Sequence, residues 1–233
     1  MQDYSSLPLS PDIADAELAQ RVAAGQRGAF ELLMRRHNQA LYRAARSILR
    51  HDHDAEDALQ DAYLLAFRAI GTYRSDARLA TWLTRIVINV AIARARQGRR
   101  RAEVVQLDGG ADLQPDQTGS PMDNPDSDTP ERAAMRAQMR QLLEQHIDDL
   151  PDVYRTVFVL RAVEEMSGDE VAACLDIPAA TVRSRFFRAR SLLRSALALE
   201  VDAALESAYA FDGARCDRIV AGVLARLEFS GKE

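Results

Sequence analysis

Cysteine is almost missing from this chain: Cys174 and Cys216 are the only two in 233 residues. Two thiols far apart exclude a disulfide framework. With no CxxC pair and no neighbouring His pair, they exclude a thiolate zinc site as well. Cys174 reads as a small core residue, and Cys216 as the only candidate thiol switch. Lysine is scarcer still, with Lys232 alone. Glycine is sparse and no segment alternates apolar with polar residues, which argues against strands. The fold class expected is all-α: two small helical domains joined by a flexible acidic linker, the second containing a helix-turn-helix. No run approaches the roughly 20 apolar residues that span a bilayer, so no membrane insertion is expected. The start, MQDYSSLPLSPDIAD, has neither the basic residues nor the apolar run of a signal peptide. A cytoplasmic location follows as an expectation.

What is abundant is arginine, unevenly placed. The net charge of −5 hides blocks of opposite sign. Residues 1–102 carry +5, 103–152 carry −9, 153–199 carry +2 and 200–233 carry −3. Glu103 to Thr129 contains no Arg or Lys, three Gly, three Pro and almost nothing to bury. That composition is a linker's. Thr129-Pro130-Glu131 then restarts helix, with Thr as N-cap and Pro at the first helical position. The expected organisation is a leader at 1–14, a helical domain at 15–101, a linker at 102–129, a second helical domain at 130–197 and an extension at 198–233.

The most specific stretch is Leu150 to Leu193. Ser167-Gly168-Asp169-Glu170 forms a capping box, so a helix starts there and runs to about Leu175. Its apolar face is Val171, Cys174 and Leu175. Asp176-Ile177-Pro178 forces a boundary, because proline disfavours helix in the residue before it. A second helix runs from Ala179 to Ala198. Val182, Phe186, Ala189 and Leu193 make its core stripe. The other side carries Thr181, Arg183, Ser184, Arg185, Phe187 and Arg188. Helix, tight turn and arginine-rich helix are the sequence form of a helix-turn-helix, whose second helix enters the DNA major groove.

The N-terminal block reads as four helices: Asp15–Ala24, Gly28–Leu49, Asp54–Ile70 and Leu79–Arg96. The third opens with Asp54, Glu56 and Asp57, which suit a helix N-terminus. The fourth carries Trp82, Ile86 and Val90 at helical spacing and ends in Arg94, Arg96, Arg99, Arg100 and Arg101, a candidate phosphate-contacting cluster. The loop Gly71–Ala80 holds Tyr73, Arg74, Ser75 and Arg78, with Trp82 just beyond. Aromatic and guanidinium planes of this kind stack single-stranded bases. Tyr73 is the stronger stacking candidate, since Trp82 also fits the core.

These two blocks together resemble the bacterial RNA polymerase sigma factors of the sigma-70 family, extracytoplasmic-function (ECF) type. In the first block the resemblance rests on Ala29-Phe30-Glu31-Leu32-Leu33, on Asp54 through Tyr63, and on Thr81-Trp82-Leu83-Thr84-Arg85-Ile86 through Asn89. In the second it rests on Leu150-Pro151, Leu160-Arg161, Glu165-Met166-Ser167, Ile177-Pro178 and Thr181 through Arg190. It covers about two-thirds of the chain, and its specificity lies in the order of the motifs. Two features depart from the pattern. Asp176 stands in the turn where the family commonly has Gly, and a tail follows Leu197. Asp217–Leu227 in that tail is expected to be a short helix with Ile219, Val220, Val223, Leu224 and Leu227 on one side.

The resemblance implies roles. Asp54, Glu56, Asp57, Gln60 and Asp61 would bind core RNA polymerase at the clamp helices of its largest subunit, with the flap of the second subunit as a further contact. Tyr73, Arg74, Ser75, Arg78, Trp82, Arg85, Asn89 and Arg96 would open the −10 element and hold one strand. Thr181, Arg183, Ser184, Arg185, Phe187 and Arg188 would read the −35 element. The acidic linker would thread toward the polymerase active-site channel. An anti-sigma factor, which could hold the chain at the inner membrane, would be the regulatory partner. No cofactor, metal or catalytic constellation is expected.

Two other readings compete. One is a helix-turn-helix regulator that binds operator DNA without being a polymerase subunit; it needs neither an acidic docking helix nor a melting loop. The other is a nucleic-acid enzyme with a metal at His51, Asp52, His53, Asp54, Glu56 and Asp57. Those residues crowd a helix start rather than one inward face, so a solvated acidic turn is the simpler account.

Overall fold

The computed structural model describes residue 10 and residues 12–74, 77–107, 130–208 and 213–225. Among these, every regular element is a helix: α1 (Asp15–Ala23), α2 (Arg27–Leu49), α3 (Asp52–Ala69), α4 (Leu79–Leu107), α5 (Pro130–Asp148), α6 (Asp152–Phe158), α7 (Gly168–Leu175), α8 (Ala179–Ala208) and α9 (Gly213–Leu224). A 3-10 turn, Ile70–Thr72, closes α3, and a π turn, Val159–Val163, closes α6. Ser75 and most of the acidic linker lie outside the described residues. The first six residues assigned to that linker, 102–107, continue α4.

The chain divides into two compact units, Met1–Leu192 and Leu193–Glu233. In the first, α1 to α4 enclose a core of Leu18, Val22, Leu33, Leu41, Leu59, Leu79, Leu83 and Val87. Burying each Leu or Val contributes about 1.5–3 kcal/mol. The apolar row of α4 differs from the sequence expectation. Trp82, Ile86 and Val90 sit half-buried at the rim, while Leu79, Leu83 and Val87 fill the interior. Both rows are apolar at helical spacing, so only the neighbouring helices decide between them.

A second core joins the two sequence blocks. Val157, Leu160, Met166, Val171, Cys174 and Val182 pack with Ala44 of α2 and Ile88 of α4. The helix-turn-helix is therefore seated on the N-terminal helices within one unit. In the second unit, Leu193 is buried, and α9 exposes Ile219, Val220, Val223 and Leu224. That helix starts four residues before the expected Asp217 and is described to Leu224, while Leu227 lies outside the described residues.

Candidate nucleic-acid interface

The helix-turn-helix is built by local chemistry legible in the sequence. The Glu170 backbone N–H donates to Ser167 Oγ (3.2 Å), and the Ser167 N–H donates to Glu170 Oε2 (2.8 Å). These bonds satisfy two of the orphan donors of the α7 N-terminus. Hydrogen bonds from the Ser167 backbone and from Thr81 hold the Glu170 carboxyl below its usual range, with burial opposing them. Asp176 ends α7 in the left-handed region, φ 52° and ψ 49°, and its N–H donates to Ala172 O. Asp tolerates this region better than most residues, so the turn survives without glycine. Val182 and Ala189 of α8 are buried, and Phe186 is half-buried, stacked on Phe158 at 6.2 Å.

Fixing that stripe inward turns the opposite face to solvent. Arg183, Ser184, Phe187 and Arg188 are exposed, while Thr181 and Arg185 are half-buried. Phe187 is 76% exposed, the highest of any large apolar side chain among the described residues. Ser184 Oγ donates back to Thr181 O at 3.0 Å. Arg190 instead lies over the Phe186 ring at 5.9 Å, with Arg161 at 5.4 Å. The arginine comb thus divides, Arg190 packing on an aromatic ring while Arg183 and Arg188 reach outward.

On α4, Trp82, Arg85, Asn89 and Arg96 recur at spacings that keep them on one face, with Arg78 just before the helix. Arg78, Arg85, Asn89 and Arg96 are exposed. Arg74 is exposed in the preceding loop. Tyr73 is half-buried: its ring lies 5.7 Å from that of Trp82, and its hydroxyl donates to Ala77 O at 2.8 Å. The two rings pack against each other at the foot of the basic face, inclined by 56°. Arg94 stands apart from the expected phosphate cluster. Its guanidinium pairs with Asp57 (3.4 Å) and Asp61 (2.5 Å) of α3. Arg99 pairs with Asp152.

On α3, Asp54, Glu56, Gln60 and Asp61 are exposed, and Asp57 is half-buried. Beside them lie Leu64, Leu65 and Phe67, 58%, 46% and 46% exposed. Acidic residues flanking uncovered apolar ones suit a protein partner better than duplex DNA. Leu64 and Leu65 carried a signal that the sequence reading passed over, since three apolar residues in four exceed what one helix stripe can bury.

The acidic turn is organised by ion pairs. Asp52 Oδ1 accepts from Arg46 Nε at 2.7 Å. Burial would raise the Asp52 carboxyl, but bonds from Arg46 and Tyr42 hold it below its usual value. Burial and Asp52 together push the Tyr42 hydroxyl up to about 12. Among the described residues no group of three or more His, Cys, Asp and Glu could hold a metal ion. Nor is any described helix long and apolar enough to cross a membrane. Cys174 is buried, and burial pushes its thiol up to about 12, with Glu170 adding to the effect. Cys216 is exposed.

Comparison with known proteins gives this arrangement a family. Residues 33–101 match the model of Sigma-70 region 2, and residues 140–193 match that of Sigma-70, region 4. The chain is 33% identical over 187 residues to the RNA polymerase sigma-H factor of Pseudomonas aeruginosa, covering 78% of this chain and 93% of that protein. It is 31% identical over 195 residues to the ECF RNA polymerase sigma-E factor of Escherichia coli K12, covering 79% and 95%. Among solved structures it is similar to CnrH in complex with the cytosolic domain of CnrY, at 29% identity and a TM-score of 0.53. That match covers 80% of this chain and 99% of the other. The fold also matches the sigma factor RpoE of Bartonella quintana, solved with the anti-sigma factor NepR. The TM-score is 0.56 at 23% identity, over 72% of this chain and 96% of the other. The two blocks, in this order and with these helices, place the chain in the sigma-70 family, among its ECF sigma factors.

Proposed function

We propose that the chain binds core RNA polymerase and directs it to promoters whose −35 and −10 elements it reads. The observation that carries this is the sequence of three exposed surfaces. They are an acidic and apolar face on α3, a basic face on α4 with Tyr73 and Trp82 at its foot, and an arginine-lined face on α8. Asp54, Glu56, Asp57, Gln60 and Asp61, with Leu64 and Leu65, dock the clamp helices of the polymerase, and the flap of the second subunit meets the C-terminal block. Tyr73, Arg74, Ser75, Arg78, Trp82, Arg85, Asn89 and Arg96 open the −10 element and hold its single strand by stacking and phosphate contacts. Thr181, Arg183, Ser184, Arg185, Phe187 and Arg188 read the −35 major groove.

A chain of net charge −5 binds DNA weakly by itself. Attached to the polymerase, its modest base contacts act at high effective concentration. The partners CnrY and NepR named for the two related structures support an anti-sigma factor as the regulator of this chain, acting in the cytoplasm or at the inner membrane.

Co-elution of the purified chain with core polymerase tests the docking step. The wild type should elute with core. Asp57→Lys with Asp61→Lys should elute free while keeping its helicity. Co-elution of both alike would remove α3 as the docking face.

A further inference from the structure

The helix α9 lies beyond residue 193, where the match to region 4 ends. It belongs to the second compact unit, Leu193–Glu233, which is about 40 residues long. That unit has almost no interior of its own. Among its described residues only Leu193 is buried. Leu199, Ile219, Val220, Val223 and Leu224 are each at least 49% exposed. A helix of 12 residues is marginal by itself in water and is held by the packing of an apolar face. On α9 that face is Cys216, Ile219, Val220, Val223 and Leu224, which recur at i, i+3, i+4, i+7 and i+8. Cys216, Val220 and Val223 follow the alternating spacing of four and three that makes the seam of a helix pair, with Ile219 and Leu224 along its edges. Arg215 and Arg218 fall off this stripe, on the side of Ala221 and Gly222.

Units this small are usually stabilised by a disulfide, a metal or association. Cys216 is the unit's single cysteine and is free. Among the described residues no group of His, Cys, Asp and Glu could hold a metal ion. Association is what remains. An apolar seam with its cations turned aside does not suit DNA, whose phosphates call for Arg or Lys at the contact. The same helix on another copy has the matching length, spacing and side-chain size, and a two-fold pair is self-complementary in this way. We propose that α9 is a self-association helix: its Cys216–Leu224 stripe pairs with the same stripe of a second copy and joins two chains by their C-terminal extensions. At about 1.5 Å per residue the helix is roughly 18 Å long, so the pair buries well under the ~800 Å² per partner of a stable interface. The dimer is therefore transient, with half of the chains paired at a concentration on the order of 50 µM. This pairing does not rest on the function proposed above.

Sedimentation of the full chain between about 2 and 200 µM tests it. The wild type should pass from monomer toward dimer across that range. Val220→Glu with Val223→Glu sets like charges across the seam and should leave the chain monomeric throughout, with its helicity kept. Leu64→Glu with Leu65→Glu, on the other exposed apolar face, should associate as the wild type does. Cys216 supplies a second readout, because it heads the stripe and is exposed in the single chain. Its alkylation by excess iodoacetamide, located by peptide mass mapping, should slow about threefold from the lowest to the highest concentration. In the Val220→Glu, Val223→Glu chain it should stay constant. A wild type that is monomeric at every concentration would overturn the proposal. So would association that survives the two glutamates, which would put the interface elsewhere, or association that leaves the Cys216 rate unchanged.

Discussion

Arg155 Nε, on α6, donates to the backbone carbonyl of Ser47, on α2, across 2.7 Å, with the Arg155 side chain fully buried. The same guanidinium reaches Asp148 O and Leu150 O at 3.1 Å and Asp152 Oδ1 at 2.9 Å. Ser47 O is one of the last carbonyls of α2, which its own helix leaves without a donor. A cation at that end also meets the negative pole of the helix. Burial lowers the Arg155 pKa from its ordinary value, and Arg50 nearby adds to the effect, but the group has no accessible neutral form. Arg155→Ala leaves several buried acceptors unpaired and should cost about 2–4 kcal/mol. Urea denaturation of the full chain checks it. A loss below about 1 kcal/mol would mean that water replaces the guanidinium.

The turn of the helix-turn-helix carries two separable contributions. Ser167→Ala removes the capping hydroxyl and should destabilise by about 1 kcal/mol. Asp176→Gly relieves a left-handed φ of 52° and should leave stability unchanged or raise it by a few tenths of a kcal/mol, whereas Asp176→Ala should lower it by about 1 kcal/mol. Thermal melts of the two Asp176 variants and the wild type would show the ordering Gly, wild type, Ala. The reverse ordering would make the Asp176 side chain, not its backbone, the stabilising feature.

His37 gives the fold a weakness to mild acid. It is 8% exposed, and its Nε2 has no hydrogen-bond partner. Burial lowers its pKa from 6.5, opposed by Asp15 and aided by Arg36 and Arg78. The unfolded chain therefore takes up the proton first. Stability is full above about pH 6.5 and declines as pH falls toward the lower folded value. The carboxyls of Asp52, Asp152 and Glu170 are lowered as well. Their contribution is present above their ordinary values and lost at lower pH, so the windows separate. Urea midpoints should fall between pH 7.5 and 5.5, and His37→Gln should flatten that slope. An unchanged slope would assign the acid weakness elsewhere.

Base reading on α8 has its own signature. Arg183→Ala should cost roughly 1–3 kcal/mol at a single base pair of the −35 element and little at others. Initiation measured across single-base promoter variants separates the cases. Equal weakening on every promoter would make Arg183 a phosphate contact instead.

Local chemistry was the legible part of this fold. The capping box at Ser167, the break at Pro178 and the stripe through Val182 and Ala189 all follow from neighbours within one or two turns, and the structure has them in place. Long-range pairing was not legible. Arg94 and Arg99 read as phosphate contacts in a basic cluster, yet one is held by Asp57 and Asp61 and the other by Asp152. On α4, the rows through Trp82 and through Leu83 are equally apolar, and only packing against α2 and α3 selects the second. Tyr73 and Trp82, alternatives for stacking in the sequence, pack against each other with their rings inclined by 56°.

Run-off transcription with core RNA polymerase, on the upstream region of this chain's own gene and a pool of promoter fragments, is the most direct test of the central claim. The account predicts initiation at defined start sites only when the chain is present. It also predicts loss of that initiation when Arg183 and Arg188 are replaced, with binding to core retained. Binding of the chain to DNA with no dependence on core, and no initiation on any fragment, would contradict it and leave an operator-binding regulator in its place.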